Sequence, residues 1–151
     1  VKFAKIGIAA AALVGASIVP LTVTAGPANA ASCGGSLIDS IAVKNSSGTT
    51  YGTVKLYYSS SSGTNCARLD RVVNPGTKKG MILSLYACGS GWSVSKCHQD
   101  FYAIGQDSGQ FGEYAGPVTV YGKGRCVQVE ASVQAANNAW ANYHSPVFHC
   151  G

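Results

Sequence analysis

Six cysteines constrain this chain more than any other feature. Cys33, Cys66, Cys88, Cys97, Cys126 and Cys150 all lie beyond residue 32 of a 151-residue sequence. An even set of this kind in a small exported domain points to three disulfides, which compensate for a limited core. Zinc is the competing use of cysteine. No Cys-x-x-Cys pair exists, and the His-adjacent cases, Cys97-His98 and His149-Cys150, place neighbours too close in sequence to share a tetrahedral ion. The sequence therefore calls for no metal and no cofactor.

Export is read from the first thirty residues. Lys2 and Lys5 give a positive start, Ile6 to Val19 is an unbroken apolar run, Pro20 interrupts it, and Ala28-Asn29-Ala30 has the small-x-small form that a signal peptidase cuts. The run is shorter than the roughly 20 residues that span a bilayer, and no basic stop-transfer cluster follows. The expectation is a secretory signal peptide over residues 1–30, a secreted domain over 31–151, and no integral membrane segment. Without Lys2 and Lys5 the basic residues fall from 11 to 9 against 6 acids, so net charge falls from +5 to +3. Those charges are scattered, with Lys78-Lys79 the only adjacent basic pair. No nucleic-acid footprint emerges from such a distribution.

One disulfide follows from local spacing. Cys88 and Cys97 flank a Gly-containing segment between strand-like stretches, so they are expected to pair. For the other four, Cys33–Cys66 with Cys126–Cys150 and Cys33–Cys150 with Cys66–Cys126 both remain open.

Short apolar alternation bounded by Gly, Ser, Asn and Pro repeats along the chain and reads as strands and turns. Leu37–Lys44, Gly52–Tyr58, Cys66–Val72, Met81–Ala87, Cys97–Ile104, Val118–Tyr121 and Arg125–Ala131 are the expected strands. Val54, Leu56 and Tyr58 share one face of theirs. Residues 105–112 read as turn-rich, Gly122-Lys123-Gly124 as a tight hairpin, and 132–141 as room for one helical turn. His144 to Cys150 reads as an edge strand or extended tail. The fold expected is all-β, a small antiparallel sandwich or barrel held by three disulfides.

Chemistry is sparse. Glu130, His144 and Arg125 supply the residue types of a small nuclease, a carboxylate base, an imidazole acid and a cation for phosphate. No serine lies in a Gly-x-Ser-x-Gly elbow. His98 and Asp100 would share a face if their segment were a strand, although a solvated polar face explains them equally well. A hydrolase further requires at least one histidine to meet a carboxylate in a cleft. Aromatic residues carry a stronger signal. Trp92, Tyr102 and Trp140 are candidate ligand contacts, since flat rings stack on sugar rings, with Trp92 at the tip of the Cys88–Cys97 loop. The competing reading is that tyrosines favour strands and Trp140 fills the core.

Several stretches together resemble the spore-associated protein A family of filamentous spore-forming bacteria. They are Gly52-Thr-Val-Lys-Leu-Tyr-Tyr58 with Gly63-Thr-Asn-Cys-Ala67, Asp107-Ser-Gly109 with Tyr114-Ala-Gly-Pro-Val118, and Gly124-Arg-Cys-Val127 with a terminal His149-Cys-Gly151. Their order covers most of residues 33–151. The resemblance implies export, association with a spore or cell surface, and no enzymatic activity. It matches Cys33, Cys66, Cys126 and Cys150, and leaves Cys88 and Cys97 as an added pair around Trp92. A secreted carbohydrate- or peptidoglycan-binding module is the alternative, with cell-wall or spore-surface glycan as partner, and a small hydrolase or nuclease stands behind it.

Overall fold

A computed structural model describes residues 32–89 and 93–151. The expected export segment and Trp92 lie outside the described residues. Eight strands and one short helix run in the order β1 (Ser36–Lys44), β2 (Thr50–Ser59), β3 (Thr64–Arg71), β4 (Lys79–Cys88), α1 (Val94–Gln99), β5 (Phe101–Phe111), β6 (Tyr114–Tyr121), β7 (Val127–Gln134) and β8 (Trp140–His144). They form two antiparallel four-stranded sheets, β1-β2-β3-β6 and β5-β4-β7-β8. The chain is an all-β sandwich.

Alternation decides which side of each strand is buried. Val54 and Leu56 of β2, Ala67 and Leu69 of β3, Leu83 and Leu85 of β4, and Val129 and Val133 of β7 are fully buried between the sheets. Disulfides join Cys33 to Cys66, Cys88 to Cys97 and Cys126 to Cys150. The first ties the segment before β1 onto β3. The last ties the tail to the entrance of β7, where Val127 and Phe148 exchange backbone hydrogen bonds at 2.9 and 3.0 Å. Among the described residues no helix is long and apolar enough to cross a membrane.

Four local expectations are corrected. Cys97–Gln99 is helical and not a strand, because the Ser93 hydroxyl accepts from the Lys96 N–H at 3.2 Å and caps α1. Residues 105–111 belong to β5 and are not a turn. Gly105 is there for close approach, since a Cβ would meet the Thr119 backbone at 3.1 Å where β5 packs against β6. Asp107 strengthens that seam by accepting from the Gly116 N–H at 2.7 Å. Gly122-Lys123-Gly124 does not make a hairpin: β6 and β7 lie in different sheets, and the turn carries the chain across the sandwich. Residues 132–141 hold no helical turn. Asn138, at φ +66°, instead closes the β7–β8 hairpin, with Ala135 N–H donating to Ala139 O at 2.8 Å.

The outer face of the first sheet carries an ion-pair cluster. Arg68 reaches Asp70 through two bonds of 2.7 and 3.1 Å and lies over the Tyr114 ring, while Lys55 reaches the same carboxylate at 2.9 Å. Partial burial opposes ionisation of Asp70, but the bonds from Arg68 and Lys55 outweigh it and hold its pKa below the ordinary value. A depressed carboxyl pKa stabilises the fold above the unfolded value of about 4, and that contribution disappears as pH falls through the folded value. The expected result is an acid-side loss of stability, about 1 kcal/mol or less, that Asp70→Asn removes from the urea-unfolding profile below pH 4.

Candidate functional site

The outer face of the second sheet brings together three of the sequence candidates, Trp140, Glu130 and His144. Pairing sets it out in rungs. Gln134 and Trp140 are partners at one end, with Gly80 donating its N–H to Gln134 Oε1 at 3.2 Å. Next come Ser108, Ile82, Ser132 and Asn142, then Gln106, Ser84, Glu130 and His144, then Ile104, Tyr86 and Gln128. Phe101 stands beyond, its ring edge-on to Tyr86 at 5.8 Å between centroids.

Trp140 is not a core residue. It is 41% exposed, and its ring rests directly on Gly80, where any Cβ would collide with it. Glycine here lets an indole lie against the sheet while the residue stays open to solvent. Ile82, Ile104 and Phe101 are also exposed, so the face presents apolar surface along its length with polar groups between. From Gly80 to Tyr86 is about 20 Å at ordinary strand rise.

The polar centre is a chain of three side chains. His144 Nδ1 lies 2.8 Å from Glu130 Oε1, and the Tyr86 hydroxyl donates to Glu130 Oε2 at 3.2 Å. Burial, followed by the neighbouring Glu130 carboxylate, pushes the Tyr86 phenol above its ordinary pKa, so it remains a donor at neutral pH. Glu130 and His144 thus meet as their residue types suggested.

Arg125, however, stands apart from them. Its guanidinium lies over the exposed Tyr102 ring, 3.7 Å from the centroid, and reaches Cys88 O at 3.4 Å. Cys88 is four residues along β4 from Ser84, roughly 13 Å from the Glu130 rung. The nuclease trio is therefore not assembled. Tyr102 serves as a support for Arg125. Asp100 caps the C-terminus of α1, so the strand-face relation expected of His98 and Asp100 does not arise. Among the described residues no group of three or more His, Cys, Asp or Glu is placed to hold a metal ion.

Sequence reasoning missed a second imidazole–carboxylate pair. His149 Nε2 lies 3.2 Å from Asp39 Oδ2, although 110 residues separate them. No local signal reports this contact, because it depends on the tail returning to β1. Comparison with protein-family models, curated proteins and solved structures gives no match.

Proposed function

We propose that this is a secreted, non-catalytic module of the cell or spore surface that holds a glycan chain along the outer face of its second sheet. The observation that carries the reading is Trp140 laid open on Gly80 at one end of a face that continues through Ile82 to Tyr86 and Phe101. Flat rings spaced along a sheet match a run of sugar rings, and Glu130, His144 and Asn142 offer hydrogen bonds to hydroxyls. Three disulfides fit an oxidising compartment. The resemblance of the sequence stretches to the spore-associated protein A family is consistent with this reading. Glu130 and His144 lie on an open sheet without the enclosure that general acid–base chemistry uses.

Sedimentation with insoluble cell-wall glycan tests this. The protein is expected to pellet, and Trp140→Ala is expected to weaken retention about tenfold. Protein that stays in the supernatant, or a Trp140→Ala variant that pellets like the parent, would overturn the reading.

A specific observation favours a second reading, a small hydrolase. The Asp39–His149 pair is an imidazole held by a carboxylate, and His149 borders a pocket that Arg125 also lines. This reading predicts hydrolysis of glycan or phosphodiester substrates that His149→Gln abolishes.

A further inference from the structure

One end of the sandwich, away from the outer face described above, holds an open pocket of about 280 Å³. Its walls come from the first sheet (Ile38, Tyr58, Asn65), the β6–β7 connection (Gly122, Arg125) and the tail (His149). Three features suggest a ligand site. Asn65 points inward on β3, is 4% exposed, and its amide makes no hydrogen bond among the described residues. It is packed against Gly122, where a Cβ would collide with Nδ2. Its amide borders the open pocket with its donors and acceptor unused by the protein, so they are available to a ligand.

Arg125 is the second feature. Its guanidinium is braced by Tyr102 and has no carboxylate partner among the described residues. A braced, unpaired guanidinium offers a planar fork to an incoming carboxylate. The third is a β-bulge. The register of β1 against β2 skips Ile38, between Leu37↔Tyr57 and Asp39↔Leu56, and this extra residue lines the pocket. Bulges re-aim side chains beside functional sites. No Asp or Glu lines the pocket, and Asp39 is engaged by His149.

We propose that this pocket binds a single carboxylate-bearing sugar unit, a uronic acid by chemical class. Arg125 takes the carboxylate, the Asn65 amide pairs with a ring hydroxyl, and Tyr58 and Ile38 contact the apolar side of the ring. The volume is near the lower end of small-molecule pockets, which suits one sugar and not a chain. The site is independent of the outer face, so its failure leaves the glycan-platform reading standing.

Titration of the full domain by NMR, with galacturonate, galactose and inorganic phosphate as probes, tests the assignment. Galacturonate is expected to bind saturably and to shift the resonances of Asn65, Gly122 and Arg125. Galactose is expected to bind at least about tenfold more weakly, and so is galacturonate to Arg125→Gln. Asn65→Leu provides a separate readout. Replacing an amide that makes no hydrogen bond within the protein by an apolar group of similar size is expected to leave the melting temperature nearly unchanged while galacturonate binding falls about tenfold. Equal binding of galactose, tighter binding of phosphate, no shift at these residues, or full binding by Arg125→Gln would each overturn the proposal.

Discussion

Reducing the three disulfides is expected to unfold this domain at 37 °C. The core that remains is thin. Its largest fully buried side chains are leucine, methionine, glutamine, valine and cysteine, with no aromatic ring among them in the described residues. A domain of this size has a total stability of roughly 6–18 kcal/mol. On the chain-entropy model, Cys33–Cys66, separated by 33 positions, contributes about 4 kcal/mol, and Cys126–Cys150 and Cys88–Cys97, separated by 24 and 9, about 3 kcal/mol each. Those magnitudes together rival the whole stability. The Cys33–Cys66 bridge has the largest single effect because its loop contains β1, β2 and the start of β3. The Cys33→Ser/Cys66→Ser double variant is expected to lose about 3–4 kcal/mol in urea unfolding and to melt about 15 °C lower. Reduced and alkylated protein is expected to lose near-UV circular dichroism and its cooperative melt. Retention of both, with a melting temperature within a few degrees of the oxidised protein, would show that the two sheets hold without their bridges.

The strands were legible because alternation is a local property. Val54 and Leu56, or Leu83 and Leu85, announce a buried side whatever lies opposite. What lies opposite is not local, and the misread segments fail on that point. Gly122-Lys123-Gly124 has hairpin composition, yet Val120 and Val127 on its two sides belong to strands of different sheets and are both buried in the core between them. Gly105 looks like a turn residue, but its missing side chain makes room for Thr119 of the other sheet. Trp140 could be read as core or as platform from sequence. Only Gly80, sixty residues earlier, decides between them. The candidate sites divide in the same way. Glu130 and His144 were legible as residue types, and pairing of β7 with β8 supplies the contact. Asn65 gave no signal, since an asparagine in a strand is unremarkable until its amide is found bordering a pocket without a protein partner. Arg125 was noticed for its charge, but its surroundings depend on the tail, β4 and β5 arriving together.

Arg71 is expected to be the most sensitive single position outside the cysteines. It ends β3 and is only 6% exposed, an unusual place for a guanidinium. Among the described residues no carboxylate pairs with it. Instead Nη1 donates to Gln134 O at 2.7 Å and Val73 O at 3.4 Å, and Nη2 donates to Lys79 O at 3.1 Å. The Gln134 and Lys79 carbonyls terminate β7 and begin β4, so one side chain from the first sheet binds the ends of two strands in the second. Burial lowers its pKa, but an arginine starts so far above neutrality that the charge persists. Removing it leaves buried carbonyls without donors and a void where the stem lay. Arg71→Ala is expected to cost about 3–4 kcal/mol. Arg71→Met keeps most of the stem, so its expected loss of about 2 kcal/mol isolates the hydrogen bonds. Arg71→Lys supplies charge without the fork and is expected to fall near Arg71→Met, because one ammonium does not reproduce the spread of donors. Urea midpoints at unchanged m-value measure all three. If Arg71→Met unfolded within about 0.5 kcal/mol of the parent, water would be satisfying those carbonyls and the sheets would not depend on this bridge.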